Sequence, residues 1–498
     1  MSGDAMARAE HSMTGTFDLV LDREDVESHV HAMAQTPGVR LADFFGSIEG
    51  GQLMIRLVWG LDREHEYRIV SWPARGTGYP PLSEVAPAAF VEECEIYEQF
   101  GVSPGKGRAL NRLVIPPGAE HSFPRLGEAP PHDRPLPHAP HHVSGEAFEF
   151  PFGPVRGVGQ ESMYMGLVTS GEELIDLYLL QWHKHRGIER RLGGEGVTRA
   201  LFVVERAEGL SAVGNGWAFC RAVEAIAEVS PHPAVDRSRG VALELERLYN
   251  HAAAIAALCQ STGLAVGQAQ AEMVLEQLLR LNATVFGHRY LFGVLAPGGT
   301  SRAADADAVV TSLPPTMDTL RRLVDSLWAT NSFVDRLESC GIVVPADAAR
   351  LGLVGPVARA SGQDIDTRRD HAFGPYGDLA VEVPVRETGD VMARMSVMVA
   401  EMEESARLAL DLAGAGLGAG TVEVPPATGS ALGWCESPRG ESLLWVDLDA
   451  GRIRRARVRP GSVRNWRSFD DAARSRNVFT DVPIIEASFW LTVAGMAR

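Results

Sequence analysis

The spacing of apolar and polar positions changes character once along this chain. Thr16-Phe17-Asp18-Leu19-Val20-Leu21 alternates as a half-buried strand does, and Asp25 to Gln35 suits a short helix. Gly51 to Gly60 and Glu66 to Trp72 alternate again and predict a hairpin. After Pro80-Pro81-Leu82-Ser83, the segment from Pro87 to Val102 has helical spacing, with Gly101 as its C-terminal stop. Ser162 to Val168 and Leu174 to Leu180 predict two more strands, joined at Ser170-Gly171. Beyond Gly187 the helical period takes over. Leu243, Leu245, Leu248, Ala252, Ile255 and Leu258 make a wide apolar stripe within Arg239 to Cys259. Met273 to Phe286, Met317 to Leu337 and Val391 to Ala413 continue the style. Such helices pack on one another into a bundle core, which accounts for their Met and Leu positions without a cofactor.

Prolines 116, 117, 124, 130, 131, 135, 137 and 140 interrupt the pattern and mark a linker. The chain therefore divides into a polar N-terminus (1–16), a small α+β domain (17–115), the Pro/His-rich linker (116–149) and a larger domain (150–498). The larger domain is read as a mainly helical bundle with a short β-sheet portion, so the fold class is α+β. His132, His138, His141 and His142 fall in the linker. A metal site needs fixed geometry and an ordered surround, which a Pro-rich segment does not offer, so no metal is expected there.

Composition narrows the picture modestly. At 498 residues, 45% hydrophobic and 22% charged, the chain reads as a soluble globular protein of two or three domains. A net charge of −17 argues against a nucleic-acid surface. Cys94, Cys220, Cys259, Cys340 and Cys435 form no CxxC pair, which argues against a disulfide framework and against an iron–sulfur cluster or zinc held by this chain alone. Met1 to Thr16 lacks the apolar stretch of a signal peptide, and no apolar run reaches the ~18 residues of a membrane span. The expected location is cytoplasmic, with any membrane attachment supplied by partners.

The most informative stretch runs from Phe150 to Glu224. It contains Phe152-Gly153-Pro154-Val155-Arg156-Gly157-Val158-Gly159-Gln160-Glu161, then His183-Lys184-His185-Arg186-Gly187-Ile188-Glu189, then Val204-Glu205-Arg206-Ala207-Glu208-Gly209-Leu210-Ser211. Further along come Glu244-Leu245-Glu246-Arg247, Gly287-His288-Arg289 with Pro297-Gly298-Gly299, Gly355-Pro356-Val357-Ala358-Arg359, Asp366-Thr367-Arg368, Gly389-Asp390-Val391-Met392-Ala393-Arg394 and Glu436-Ser437-Pro438-Arg439-Gly440-Glu441. In this order the segments resemble the large-subunit family shared by membrane-bound nickel–iron hydrogenases, formate hydrogenlyase and the quinone-reducing D-type component of respiratory complex I. The acidic helix ending in Phe100-Gly101-Val102 is similar to the signature of the C-type component of complex I. It departs in having Glu98 for the usual Asp and Lys106-Gly107 for His-Pro. The resemblance implies a C-type docking domain fused to a hydrogenase large-subunit or D-type domain, as in the formate hydrogenlyase and hydrogenase-4 type.

In the hydrogenase branch four thiolates hold nickel. The positions that correspond here are Glu208 and Ser211 on the N-terminal side, and Thr492 and Gly495 on alignment of Asp481 to Ser488. Hydroxyls and a lone carboxylate are poor ligands for a redox-active nickel–iron centre, so no nickel is expected. The resemblance to the D-type component implies that the vacated space is a polar cavity beside a partner's iron–sulfur cluster, lined by Arg156, Gln160, Glu161, Glu208, Ser211, Arg439 and Thr492. Arg156, Glu161 and Arg439 are the candidate catalytic residues; Gln160, His185, Glu208, Ser211 and Thr492 are the candidate binding residues. Glu161 stands where hydrogenases carry a proton-relay glutamate, a role that suits a buried carboxyl with a raised pKa. The competing expectation is a Glu161 ion pair with Arg156 or Arg439. Of His183 and His185, one is expected in the core, and Arg186 and Glu189 are expected to pair. By the resemblance Gln160 stands where complex I carries its quinone-binding histidine, and the stretch just after Arg206 offers no tyrosine, Trp217 being the nearest large aromatic, which leaves the acceptor open.

The implied role is the large subunit of a membrane-associated, complex-I-like oxidoreductase of the NADH–quinone oxidoreductase and hydrogenase kind. Its implied partners are an iron–sulfur small subunit (of the B type in complex I) and antiporter-like membrane subunits, on the inner face of the cell membrane, with quinone as one candidate acceptor. The alternative is a catalytically silent scaffold linking another reaction to a proton-translocating membrane arm.

Overall fold

A computed structural model describes residues 10–11, 16–74, 78–105, 110, 113, 147–157, 161–474 and 476–498. Gln160, Lys106-Gly107 and the linker histidines His132, His138, His141 and His142 lie outside the described residues.

The N-terminal part comprises β1 (Glu10–His11), β2 (Thr16–Val20), α1 (Arg23–Ala34), β3 (Val39–Glu49), β4 (Gln52–Leu61), β5 (Glu66–Pro73), β6 (Gly78–Tyr79), α2 (Phe90–Phe100) and β7 (Ser103–Pro104). The predicted hairpin is β4 with β5, paired from Leu61↔Glu66 to Met54↔Pro73. The sheet order is β1-β2-β5-β4-β3, with α2 against β3. Strand β3 was not anticipated, because its residues are buried almost continuously and show no alternation. Gly101 closes α2 in the left-handed region at φ 70°, as a helix stop requires.

The larger part opens with the antiparallel sheet β8 (Phe148–Phe152), β9 (Tyr164–Ser170) and β10 (Glu173–Leu180). Helices follow: α3 (Ile188–Leu192), α4 (Val197–Val204), α5 (Ala212–Ile226), α6 (Pro233–Ser261) and α7 (Ala265–Phe286). Short strands β11 (Leu295–Ala296) and β12 (Gly299–Thr300) precede α8 (Ala306–Trp328), α9 (Asn331–Leu337), α10 (Pro345–Leu351), α11 (Gly355–Ala360), α12 (Thr367–Asp370) and α13 (Val391–Gly414). The chain ends with β13 (Gly420–Thr421), a sheet of β14 (Gly429–Ser437), β15 (Gly440–Asp449) and β16 (Arg452–Arg459), then α14 (Gly461–Asn465), α15 (Phe469–Arg474), α16 (Val482–Phe489) and α17 (Val493–Met496). Helices α6, α7, α8 and α13 form the anticipated bundle, while α5 lies on β14 and β15. The expected single helix from Met317 to Leu337 is instead two, α8 and α9, broken at Thr330, where the backbone is extended.

The N-terminal part has a core of its own around Phe44, Trp59 and Trp72, and its sheet also contributes to the core of the larger part. Ala42, Phe45, Val58, Tyr67 and Ile69 of the N-terminal sheet join the buried cluster of the larger part. The acidic face of α2 turns inward, with Glu92, Glu93, Glu95 and Glu98 all buried. Arg457 meets Asp43 at 2.9 Å and Glu95 at 2.7 Å, and Arg464 meets Glu92 at 3.3 Å. Buried carboxylates are tolerated only when paired, so α2 fits the surface presented by β16 and α14 and little else.

Candidate functional site

Two stretches nearly three hundred residues apart converge at the centre of the larger part. Helix α4 ends at Val204, the chain turns through Glu208, and Ser211 immediately precedes α5, its hydroxyl not capping the helix. From the other side, Thr492 caps α17 by accepting the Gly495 N–H at 3.0 Å. Thr492 Oγ1 lies 2.6 Å from Glu208 Oε1, and the same oxygen accepts the Ser462 hydroxyl. Glu208 and Ser211 have no solvent exposure, and Glu208 Oε2 has no hydrogen-bond partner among the described residues. A Cβ on Gly495 would fall 2.7 Å from both Glu208 Oε1 and Thr492 Oγ1. The four positions expected to correspond to thiolates are therefore neighbours in space, and they supply a carboxylate, two hydroxyls and no fourth side chain. This donor set does not fit a nickel–iron centre.

Arg439 bounds the group on the turn between β14 and β15. Its Nη1 donates to Ser211 Oγ at 3.0 Å and its Nε to the Trp490 carbonyl at 2.5 Å, with Glu208 Oε1 3.9 Å away. Nη2 makes no hydrogen bond among the described residues. The Arg439 backbone is wedged between two close approaches. A Cβ on Gly355 (φ +66°) would sit 2.4 Å from the Arg439 carbonyl oxygen, and one on Gly461 would sit 2.6 Å from it. Only glycine fits at Gly355.

Beside this group opens a cavity of about 760 Å³. Arg156, Glu161, Arg439, Glu486 and Thr492 make its polar end, and Leu210, Ala256, Leu275, Leu491 and Val493 its apolar wall. Arg156 is committed within the chain: Nη1 pairs with Glu486 at 2.8 Å, while Nε and Nη2 donate to the Glu161 carbonyl. Burial pushes the Glu486 carboxyl up, and Arg156 only partly offsets it. Glu161 is half-buried, and its side chain accepts the Ala494 N–H at 2.9 Å, at the start of α17. The expected pairing of Glu161 with the guanidinium of Arg156 or Arg439 is thus replaced by a helix-start contact, which suits a carboxylate equally well.

Of the residues singled out from the sequence, Arg156, Glu161, Arg439 and Thr492 line the cavity, and Glu208 and Ser211 lie one hydrogen bond behind it. His185 does not join them. Its Nδ1 is 3.2 Å from the Ala497 carbonyl, and it lines a separate cavity of about 250 Å³ between the two parts, with Glu95, Gln99 and Glu189. Burial pushes the His185 imidazole down. His183 is exposed, so neither histidine is in the core. Arg186 and Glu189 do not pair. Gly187, in the left-handed region at φ 60°, turns them apart. Arg186 donates to the carbonyls of Arg206 and Ala207, while Glu189 meets Arg455 at 2.9 Å and Arg498 at 3.1 Å.

Glu486, Ser462 and Trp490 were missed from the sequence. Glu486 carried a signal, being the one charged residue in Val482–Phe489. Ser462 carried none, because its role depends on α14 packing beside α17.

The chain resembles known proteins over most of its length. The family of the respiratory-chain NADH dehydrogenase 49 kDa subunit matches residues 268–414. Formate hydrogenlyase subunit 5 of Escherichia coli (strain K12) is 28% identical over 436 residues, spanning 82% of this chain and 75% of that protein. Hydrogenase-4 component G of the same strain is 27% identical over 438 residues, 82% and 74% of the two chains. The D 1 subunit of NADH-quinone oxidoreductase from Chloroherpeton thalassium is 28% identical over 248 residues, 49% and 56%. The fold matches a chain in the solved structure of the membrane-bound sulfane sulfur reductase, an archaeal respiratory membrane complex, with TM-score 0.67, 22% identity and coverage of 72% and 100%. The chain belongs to the large-subunit family of formate hydrogenlyase, hydrogenase-4 and the D-type component of NADH-quinone oxidoreductase.

Proposed function

We propose that this chain is the large subunit of a membrane-associated, complex-I-like oxidoreductase in which the cavity receives an acceptor molecule in place of a nickel–iron centre. The observation that carries this reading is the convergence of Glu208, Ser211, Thr492 and Gly495 beside an open, amphipathic cavity. About 760 Å³ is within the range of small-molecule sites. Its wall of Leu, Val and Ala suits an apolar body, and its polar end suits a carbonyl-bearing head group such as that of a quinone. In this reading Arg439 Nη2, unused within the described chain, donates to the acceptor's oxygen. Ser211 and the Trp490 carbonyl hold the guanidinium in place. Arg156 positions Glu161 and Glu486 and does not touch the acceptor. Glu161, at the mouth and half-buried, and Glu486, whose carboxyl is pushed up by burial, are placed to pass protons between solvent and the acceptor.

Electrons would come from an iron–sulfur cluster in a partner small subunit, since the scattered, buried cysteines of this chain offer no cluster site among the described residues. No helix is long and apolar enough to cross a membrane among those residues, so attachment to a membrane arm falls to other subunits. The β8–β10 sheet exposes Phe148, Phe150 and Ile175, the kind of surface a partner covers.

The test is acceptor binding by the intact purified complex, followed by fluorescence of bound short-chain quinone analogues. Arg439→Ala should weaken binding at least tenfold, about 1.4 kcal/mol, as loss of a charge-assisted hydrogen bond does. Equal binding by the variant and by wild type, or none by either, would leave the chain a scaffold.

A further inference from the structure

A second buried polar group lies behind the cavity, in the bundle itself. Glu244, Asp366, Glu401 and Glu436, with Arg247, Arg359 and Arg368, are each at most 2% exposed. Arg368 meets Asp366 at 2.8 Å and Glu244 at 3.0 Å. Arg359 meets Glu401 at 2.7 Å, Glu436 at 2.9 Å and Asp366 at 3.3 Å. Arg247 lies 3.4 Å from Glu244 and 3.9 Å from Glu401. Among the described residues three other titratable groups touch the cluster: Tyr376, a phenol kept neutral by burial, on Glu244; Asp370, which has its own partner in Arg369, on the Asp366 N–H; and His251, whose Nε2 is 2.8 Å from Glu401. Burial holds its imidazole below the ordinary value, so it is not a fourth cation. Four carboxyls thus face three guanidinium groups in a region without solvent. An uncompensated buried charge is costly, and such a site takes up a proton instead.

The hydrogen bonds single out which carboxyl is in excess. Glu244 uses both oxygens on Arg368, Arg247, Tyr376 and Ser405. Asp366 uses both on Arg368, and Glu401 uses one on Arg359 and the other on His251. Glu436 has one oxygen on Arg359 Nη1, an N–H group it shares with Asp366 and the Ile365 carbonyl, and the other on the Thr367 N–H at 3.2 Å. Burial, and then the Asp366 carboxylate, push the Glu436 carboxyl up. Glu436 also borders a cavity of about 10 Å³ shared with Arg40, Asp366, Asp370, His371 and Glu441. That is room for about one water molecule. Arg40 and Glu441 are paired with each other there. His371 Nδ1 has no hydrogen-bond partner among the described residues, and its Nε2 is 2.8 Å from Asp62, whose side chain reaches the surface with 14% exposure.

We propose that Glu436 carries an exchangeable proton at neutral pH and that this proton reaches solvent through the small cavity and the His371–Asp62 pair. Arg247 donates to the carbonyls of Glu436 and Ser437, so the proton sits on the strand that presents Arg439 to the larger cavity. The inference does not depend on what the larger cavity accepts.

The full chain, purified with its partners, tests it by infrared spectroscopy on transfer to D₂O. The protonated-carboxyl band should lose a component in Glu436→Gln and keep it in Glu401→Gln. At mildly alkaline pH, Glu436→Gln should unfold at or above the wild-type midpoint, because Gln matches a protonated carboxyl, whereas Glu401→Gln should unfold below it. Asp62→Asn should slow deuteration of the Glu436 component several-fold. A Glu436→Gln spectrum superimposable on wild type, or a midpoint lowered as far as in Glu401→Gln, overturns the assignment. Failure of Glu436→Gln to fold does the same, and unchanged deuteration in Asp62→Asn overturns the route.

Discussion

Gly495→Ala puts two opposing effects in competition at the site itself. Gly495 lies in helix α17, where Ala is ordinarily favoured over Gly by about 0.5–1 kcal/mol. Here the added methyl would sit 2.7 Å from Glu208 Oε1 and from Thr492 Oγ1, and 3.2 Å from Glu208 Cδ. Separating those groups weakens a 2.6 Å hydrogen bond to a fully buried carboxylate, a loss of about 1.5–3 kcal/mol. Overpacking adds about 1–3 kcal/mol. The clash outweighs the helix preference, and the net expectation is destabilisation by about 1.5–5.5 kcal/mol. Thermal unfolding followed by circular dichroism reads the sign directly. Combining Gly495→Ala with Thr492→Ser and with Glu208→Gln in double-mutant cycles should show non-additivity, since all three share one contact. A midpoint raised by Gly495→Ala would refute the reasoning, because it would mean that the Glu208–Thr492 contact does not fill this space. The same geometry implies that Gly495→Cys clashes, so returning thiols to the site requires removing Glu208 as well.

Other expectations follow from the seam between the two parts and from the buried thiols. Arg457→Met leaves Asp43 without its ion-pair partner and Glu95 with Arg498 alone, and should destabilise the chain by about 3–5 kcal/mol, read by the same unfolding experiment. Burial pushes the Asp43 and Glu189 carboxyls up, but arginines more than offset it: Arg457 for Asp43, and Arg455 with Arg498 for Glu189, hold each at about 2. Their folded pKa values lie below the unfolded ones, so their contribution is complete above about pH 4 and is lost as pH falls toward about 2. Acid titration of the unfolding midpoint should show this loss, and Arg457→Met should flatten it. All five cysteines are buried, and burial pushes the Cys259 and Cys340 thiols up to about 12, so thiol reagents should label the chain at the rate of unfolding.

Much of this was legible in the sequence because the informative features are local. Amphipathic stripes gave α6, α7 and α13, and the family resemblance singled out Glu208, Ser211 and Thr492, positions that prove to be hydrogen-bonded neighbours or one step removed. What stayed hidden depends on tertiary placement. Strand β3 is buried on both faces and so lacks a period. His185 was assigned to the site through its family-like motif and Arg186 was expected to pair with Glu189, yet the left-handed Gly187 and the C-terminal segment draw them to Ala497 and to the Arg206 and Ala207 carbonyls. The acidic residues of α2 were legible as part of a family-like helix, but that their charges are matched inside the chain by Arg457, Arg464 and Arg498 can be seen only once β16, α14 and the C-terminal residues are in place.

The central claim is that this large subunit works without a nickel–iron centre, and elemental analysis of the complex from its own host's membranes tests it most directly. Iron in cluster amounts, carried by the partner, with no nickel is the predicted result. One nickel per complex would contradict it.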